Sequence, residues 1–332
     1  MQRAGVLTEL PPLLTARGLD AARVFAEAGI NAASFSAEDR LPFASGLKLL
    51  ETAAEVSGCP HLGLMLGQRF QLKHHGLLGE LMRTAPTLGH ALVNFTSWQP
   101  GYSSGAVVYL HPLGDDHAFG YGAAVRANRV LYDLIAVVGL RMVQQLTGGA
   151  AGPEEIHLPY RQPEDKDAYA RSMPPPTRFN EQRFCLVLTR AALDTRLPGA
   201  AHAQHQTILA ELRTKLPGAR AGAGLASRTC QVLRLLVQRG TPSMDATAAE
   251  LAMHPRTLRR HLAREMTSFE ALCGAVRFDM ARELLDLTDL PVSEISTALA
   301  YASPSVFADA FRRWSGLSPL AFRRRNTPVP AA

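Results

Sequence analysis

Two similar stretches in the C-terminal third of the chain, AELAMHPRTLRRHLAR (residues 249–264) and TALAYASPSVFADAFRR (residues 297–313), decide the predicted fold. Each predicts a short helix, a tight turn, a proline at the first position of the next helix, and an amphipathic second helix. Ser303 is a favourable N-cap, whereas His254 is a weaker one. The apolar positions correspond in three pairs, which are Leu251 and Leu299, Leu258 and Phe307, and Leu262 and Phe311. The sequence therefore predicts two helix-turn-helix units.

The second helix of the first unit has the residue types needed to contact DNA. Leu258 and Leu262 share one face, which we expect to pack inward. Guanidiniums on the outer side of such a helix can address base edges and phosphates in a major groove. A solvated arginine-rich face on an ordinary helical bundle would give the same pattern for one copy, and the second copy favours DNA binding. The candidate contact residues are Arg256, Thr257, Arg259, Arg260 and Arg264.

A long helix is predicted between the two units, over residues 269–287. Its apolar residues recur at intervals of three and four, at Phe269, Leu272, Val276, Met280 and Leu284. A rigid helix would hold the two reading helices at a fixed separation, and successive major-groove faces lie about 34 Å apart. We therefore expect two DNA contacts one helical turn apart.

Residues 228–325 resemble the DNA-binding domain of the AraC/XylS family of bacterial transcription regulators. The likeness is carried by AAELAMHPRTLRRHL (residues 248–262), Ser268, Phe269, Val276, Arg277, Ala281, Arg282, Ile295 and FADAFRRWSGLSPLAF (residues 307–322), with three arginines after it. The departures from the family pattern are Asp309 in place of the usual arginine, Pro304 and Val306 at positions that are often polar, and Ala300 and Met266 in place of turn glycines.

These departures predict unequal roles for the two units. An acid at Asp309 would repel phosphates, although facing cytosine it could accept a hydrogen bond. We expect the first unit to supply most base readout and the second mainly to position the protein. In the second unit the N-terminal end of the reading helix, with Ser303 and Ser305, would approach the next groove. Arg312 and Arg313 would lie near the DNA backbone.

The preceding residues predict an α+β domain over 1–215, and the domain over 227–326 is predicted to be all-α. Segments 17–30, 43–57, 87–99 and 130–146 are predicted to be helical, and strands are predicted at 106–111, 118–124, 156–158, 177–179 and 184–188. The glycine- and alanine-rich segment 216–226 is predicted to be a flexible linker, and residues 327–332 a tail.

The N-terminal part also resembles a known domain. HGLLGELMRTAPTLGHAL (residues 75–92), PEEIHL (residues 153–158) and the segment 178–188 are similar to the arabinose-binding N-terminal domain of one AraC subgroup. The resemblance implies a module for small-effector binding and dimerisation, without identifying arabinose as the ligand. Aromatic side chains could line an apolar effector pocket, although each could equally be core. The candidates are Trp98, Tyr102, Tyr121 and Tyr132.

Composition is consistent with a DNA-binding regulator. The chain has 332 residues, too many for one ordinary core, with 47% hydrophobic and 19% charged residues. Residues 227–326 contain fourteen Arg, no Lys and ten acids, or +4 of the total +6. Arginine is the side chain suited to forked contacts with phosphate and guanine. The four cysteines are far apart, which predicts neither a zinc site nor a disulfide framework.

Several other activities are disfavoured. GYSSG (residues 101–105) matches the nucleophile elbow of hydrolases, but that motif needs a strand before the serine and a helix after it, and the reverse order is predicted here. His202 and His205 could share a helix face, yet no Cys or acid completes a metal set. We expect no catalytic residues, no metal and no cofactor. Without a signal-peptide pattern or an apolar run near 18 residues, we expect a cytoplasmic protein with no membrane association.

The sequence thus predicts a sequence-specific regulator, an activator or dual regulator, that binds double-stranded DNA and responds to a small molecule. RNA polymerase and a second copy of the chain are further candidate partners. Two alternatives remain open. One is a ligand-independent dimeric DNA-binding regulator, and the other is an enzyme domain fused to a DNA-binding tail.

Overall fold

A computed structural model describes residues 1–32, 35–103, 105–123, 128–215 and 224–326. The chain divides into two compact units. The first comprises Met1–Tyr109 and Gly114–Leu212, and the second comprises Leu110–Leu113 and Arg213–Ala332. The first is α+β and the second is almost wholly helical, which confirms the predicted fold classes.

Several helices of the first compact unit begin where a polar side chain accepts a hydrogen bond from a free backbone amide. The Asp20 carboxylate accepts from the Ala22 and Arg23 amides, so the helix predicted over 17–30 begins only at Ala21. Thr87 and Asn128 cap two further helices in the same way. The helices are α1 (Leu10–Thr15), α2 (Ala21–Glu27), α3 (Phe43–Ser57), α4 (Leu62–Gln68), α5 (Leu77–Arg83), α6 (Leu88–Trp98), α7 (Arg129–Thr147), α8 (Lys166–Ser172), α9 (Arg190–Asp194) and α10 (His202–Lys215).

Two sheets complete this unit. Strands β1 (Gln2–Arg3) and β2 (Arg40–Leu41) pair antiparallel. The second sheet has the order β3-β4-β7-β5-β6, in which β4 and β5 both run antiparallel to β7 and β5 runs parallel to β6. Its strands are β3 (Ala106–Leu113), β4 (Asp116–Ala123), β5 (Glu155–His157), β6 (Thr177–Arg178) and β7 (Cys185–Leu188). All five lie at the predicted positions, within a few residues at their ends.

Helix α7 lies at the centre of the first unit. It packs closely on α4 because Gly63 has no side chain, and an added Cβ there would lie 2.2 Å from the Val130 carbonyl oxygen. Within the described ranges, α7 is the one helix long and apolar enough to cross a membrane, contrary to the expectation that no such segment exists. Most of its length is buried, as in the core helix of a soluble domain.

The second unit is built from seven helices within the described residues. They are α11 (Leu225–Gln238), α12 (Met244–Glu250), α13 (Pro255–Arg264), α14 (Phe269–Leu287), α15 (Val292–Ala298), α16 (Pro304–Ser315) and α17 (Pro319–Asn326). The predicted connecting helix, 269–287, coincides with α14.

The linker predicted over 216–226 includes two residues that belong to helix α11. Residues 216–223, like the tail 327–332, lie outside the described residues, but Leu225 and Ala226 form the first turn of α11. The Glu265 carboxylate accepts hydrogen bonds from the Leu225 and Ala226 amides at 2.8 and 2.9 Å. A long-range contact therefore starts this helix, and a local reading of composition could not detect it.

Candidate DNA interface and effector cavity

The first helix-turn-helix unit consists of α12 and α13 around a small apolar core. Leu258 and Leu262 are fully buried on the inner face of α13, as predicted. They pack with Leu251 and Ala248 of the preceding segment and with α11. The turn between α12 and α13 passes through Ala252 with φ +52°, a left-handed conformation that costs a residue with a Cβ about 1 kcal/mol. The buried core holds α13 in a defined orientation.

The outer face of α13 is cationic and accessible. Arg256, Arg259, Arg260 and Arg264 are all exposed, and Thr257 is half-buried. None of these four guanidiniums has an ion-pair partner in the part of the chain that the structure describes. His254 caps the helix with its ring Nδ1, which accepts from the Arg256 amide at 3.2 Å. The arginines are therefore available to an external anion such as a phosphate.

The second helix-turn-helix unit consists of α15 and α16 and has the same arrangement of helices, with aromatic residues in its core. Phe307 and Phe311 are buried on the inner face of α16, and Phe322 of α17 packs on Phe311 with ring centroids 5.3 Å apart. Ser303 caps α16 by accepting from the Val306 amide. The turn passes through Ala300 with φ +55°, the conformation expected where a family glycine has been replaced. Met266, the other replaced glycine, also has positive φ, at +56°.

The outer face of α16 carries less available positive charge than that of α13. Ser305, Asp309, Arg312 and Arg313 are exposed, and Ser303 is half-buried. The Asp309 carboxylate lies 3.6 Å from the Arg312 guanidinium, so part of the cationic charge on this face is already paired. Val306 is 49% exposed near the start of the helix. The division of base readout and positioning between the two helix-turn-helix units stays a prediction.

Helix α14 connects the units as a rod of nineteen residues, which spans about 28 Å at 1.5 Å per residue. Val276, Met280 and Leu284 are buried along it, whereas Phe269 and Leu272 are half-buried. Three of the five residues of the predicted stripe are thus fully buried.

Two arginines that the resemblance includes have structural contacts. The Arg277 guanidinium donates to the Ala300 carbonyl oxygen and lies over the Tyr301 ring. Arg323, from the terminal arginine run, donates to the Leu285 and Leu290 carbonyl oxygens, whereas Arg324 and Arg325 are exposed. Local sequence could not distinguish these roles, because each depends on a carbonyl oxygen more than twenty residues away.

The first compact unit, which comprises Met1–Tyr109 and Gly114–Leu212, contains a cavity of about 210 Å³. One face of α7 forms part of its wall, through Leu131, Leu134, Ile135, Val138 and Met142. Of the predicted effector residues, Tyr102 and Tyr121 line the cavity, and burial raises the pKa of both hydroxyls. Trp98 and Tyr132 lie outside its lining. Tyr132 packs instead on Tyr160 and Phe184, with ring centroids 6.3 and 6.4 Å away.

Three residues of the cavity lining carry buried polar atoms without partners among the described residues. They are Nε2 of His75, Oε1 of Gln99 and Oγ of Ser103, each buried and without a hydrogen-bond partner in the described structure. Burial, with smaller contributions from the nearby Arg3 guanidinium and the His74 ring, lowers the pKa of His75 to about 3, so the His75 ring is neutral at physiological pH. Sequence reasoning singled out none of these three as effector-site residues, because no periodicity marks a polar group that faces an internal cavity.

A buried carboxylate lies on α7 near the cavity-lining residues. The Asp133 carboxylate accepts hydrogen bonds from the Tyr160 and Tyr169 hydroxyls, the second at 2.8 Å, and Arg129 lies 3.7 Å away. Burial outweighs these contacts and raises the Asp133 pKa to about 6. Asp133 itself does not line the cavity, so this network supports the surrounding fold.

The hydrolase motif is not formed. A 3-10 helix at Gln99–Gly101 precedes Ser103, and strand β3 follows it, which is the reverse of the strand-serine-helix order that the elbow requires. His205, which could share a helix face with His202, has its Nδ1 3.1 Å from the Thr84 hydroxyl and is only partly exposed. No set of three His, Cys, Asp or Glu side chains suited to a metal ion converges within the ranges described above.

Paired helix-turn-helix units with a cationic reading helix define a DNA-binding transcription regulator. Residues 18–197 match the family described as the arabinose-binding domain of AraC transcription regulator, N-terminal, and residues 247–325 match a helix-turn-helix domain. The chain therefore belongs to the AraC family of transcription regulators, with an N-terminal ligand-binding domain and a C-terminal DNA-binding domain.

Relatives with curated names agree with this assignment. The chain is 28% identical to the ornithine utilization regulator of Pseudomonas aeruginosa, covering 87% of this chain and 86% of that one. It is 27% identical to the HTH-type transcriptional regulator VirS of Mycobacterium tuberculosis, covering 85% and 84%. The crystal structure of the transcriptional regulator CdpR from Pseudomonas aeruginosa has the same fold, with a TM-score of 0.51, 23% identity and coverage of 98% and 99%.

Proposed function

We propose that this protein is a cytoplasmic, sequence-specific transcription activator whose affinity for its DNA site changes when a small molecule binds the N-terminal domain. The observation that carries the DNA-binding part is the exposed set of four arginines on α13, which have no ion-pair partners among the described residues. A fixed helix presenting unpaired guanidiniums suits the major groove, where they can meet guanine edges and phosphates.

The two reading helices, α13 and α16, have distinct roles in this proposal. Arg256, Arg259 and Arg260 contact bases and phosphates in the first groove, with Thr257 and Arg264 beside them. In the second groove Ser303, Ser305 and Asp309 lie nearest the bases, and Arg312 and Arg313 lie near the backbone. The Asp309–Arg312 ion pair favours the larger share of DNA contact for α13, because it leaves fewer unpaired guanidiniums on α16.

The effector part of the proposal is supported by the cavity in the first unit. The effector, RNA polymerase and a second copy of the chain are the proposed partners besides DNA.

The test is to sequence the DNA fragments that the purified full-length protein retains from a random pool at stated salt. Two enriched blocks about one helical turn apart are expected. Loss of both blocks in the Arg256→Ala/Arg260→Ala double variant would support the role of α13, and retention of the same motif by that variant would contradict it. Binding that stays at full strength whatever small molecule is added would favour the ligand-independent regulator instead.

A further inference from the structure

We propose that the cavity of the first unit binds an uncharged, mainly apolar molecule the size of a substituted benzene ring, with its single polar group held by Gln99, Ser103 and His75. This inference rests on the proposed effector response and names the chemical class of the effector.

The volume of the cavity limits the size of the ligand. An engineered protein cavity of about 150 Å³ lined by apolar side chains accommodates benzene. The cavity here is about 210 Å³, which leaves room for a ring with a short substituent, or roughly nine non-hydrogen atoms.

The wall is apolar over most of its surface. One face of α7 contributes aliphatic side chains, and Phe95, Phe119 and Phe184 contribute rings. A hydroxyl buried against such a wall without a partner costs a few kcal/mol. A sugar carries several hydroxyls, and the aliphatic and phenyl parts of the wall offer them no partner, so this cavity favours an apolar ring over a sugar such as arabinose.

The three polar side chains lie along connected elements. Gln99 follows Phe95 by one turn of helix, and the Phe95 ring lies 4.9 Å from the ring of His75. The Ser103 amide donates to the Gln99 carbonyl oxygen at 2.9 Å, which places these two residues together. The Gln99 side chain donates its NH2 to the Ala106 carbonyl oxygen, so its Oε1 remains as an acceptor.

These atoms match a hydroxyl group on the ligand. A ligand hydroxyl would donate to Gln99 Oε1 and accept from the Ser103 hydroxyl, and the ring nitrogen of His75 completes the polar end. Unsatisfied buried polar atoms are uncommon in folded proteins, and a ligand that pairs them gains the free energy that their burial costs.

The Arg3 guanidinium and the His74 ring, which both line the cavity, already have partners. The Arg3 guanidinium lies 2.6 Å from the Glu38 carboxylate and over the Tyr102 ring, and His74 lies 3.4 Å from Glu9. A carboxylate on the ligand would therefore find no unpaired cation among the described lining residues. A ligand ammonium would find no unpaired carboxylate there.

The test is isothermal titration of the full-length protein with three probes of similar shape. 2-Phenylethanol has the ring and hydroxyl, ethylbenzene lacks the polar group, and phenylacetate carries a charge. We expect saturable binding of one 2-phenylethanol per chain, with ethylbenzene weaker by roughly tenfold, as the loss of buried hydrogen bonds requires. Phenylacetate is expected to be the weakest.

Variants locate the site. Val138→Phe should fill the cavity and abolish binding of 2-phenylethanol. Gln99→Leu should weaken that binding roughly tenfold while leaving ethylbenzene unaffected. Trp98→Phe is the matched control, because Trp98 precedes Gln99 on the chain and lies outside the lining. Thermal melting confirms that each variant is folded.

The outcomes separate this inference from the proposed function. Tighter binding of phenylacetate than of 2-phenylethanol, abolished by Val138→Phe, would overturn the ligand class and leave the effector response standing. Absence of saturable binding by 2-phenylethanol would overturn the inference. The retained-DNA experiment tests DNA recognition independently of either result.

Discussion

The guanidinium of Arg277, in the middle of the connecting helix, donates a hydrogen bond to the backbone carbonyl oxygen of Ala300 at 2.7 Å. Ala300 is the left-handed residue of the turn between α15 and α16, so this bond joins the rod directly to the second helix-turn-helix unit. Tyr301 packs under the same guanidinium, 4.6 Å from its ring centroid. The orientation of the second reading helix therefore depends on a side chain of α14.

We expect Arg277→Ala to lower the free energy of unfolding by about 2 kcal/mol, because a charged hydrogen bond and a cation–π contact are both lost. Hydroxyl-radical footprinting should show protection shortened to the first block. Arg282→Ala is the control, since it removes the same charge and a cation–π contact with Phe278 from an exposed position of the same helix, but no hydrogen bond to the turn of the second helix-turn-helix unit. A full-length footprint for a folded Arg277→Ala protein would show that the contact does not orient the second unit.

Arg256→Ala should cost more sequence specificity than Val306→Ala. A guanidinium that pairs with a guanine edge discriminates by about 1–3 kcal/mol, whereas Val306 can offer only apolar contact. Footprinting and competition with single-base variants of a mapped site measure both losses of specificity. Arg23→Ala, in helix α2 of the first compact unit, is the control. A larger loss for Val306→Ala would reverse the roles assigned to the two units.

Asp309→Asn should strengthen DNA binding. The substitution removes an acid from the outer face of α16 and releases Arg312 from its ion pair, so one more phosphate contact becomes available. The slope of log affinity against log salt should steepen by about one unit. Asp167→Asn makes the same change in net charge in helix α8 of the first compact unit, and it should leave the slope unchanged. An unchanged slope for Asp309→Asn would place Asp309 away from the DNA.

His75 should make the protein less stable as the pH falls. Its pKa of about 3 in the folded protein lies below the value of about 6.5 in an unfolded chain, so below pH 6.5 the unfolded chain binds a proton that the folded chain does not. Between pH 7 and pH 5 this lowers the free energy of unfolding by about 2 kcal/mol. The Arg3 guanidinium, and the His74 ring where it is protonated, act in the same direction.

His75→Gln should remove that share of the pH dependence, measured by urea unfolding at pH 7 and pH 5. His202→Gln, at an exposed position, is the control and should keep the wild-type difference. If His75→Gln loses as much stability as the wild type over this range, the ring is hydrated in the folded protein.

The periodicity of the sequence was sufficient to predict the DNA-binding unit. Leu258, Leu262, Phe307 and Phe311 are buried as their spacing predicts, and α14 has the predicted ends. These signals are local, because burial of one helix face and capping of one helix end depend on residues within one or two turns. The exposed arginines of α13 follow from the same periodicity.

The cavity and its polar atoms could not be predicted in this way. Trp98, Tyr102, Tyr121 and Tyr132 were predicted as effector residues. Only Tyr102 and Tyr121 line the cavity. The sequence shows that a side chain is aromatic but does not show which way it points. His75 and Gln99 come together from separate elements. Arg277 and Glu265 form hydrogen bonds with backbone groups more than twenty residues away along the chain. The local sequence shows only that a charged side chain is present at each position.

The local order of apolar and charged residues alone thus specified the helices, their inner faces and the cationic side presented to DNA, since hydrogen bonding within a helix links residues only a few positions apart. The interior space of the first unit and the anchoring of the second reading helix arise only when distant segments pack. They depend on which side chains leave a gap or reach a carbonyl oxygen, and no short-range pattern contains that information.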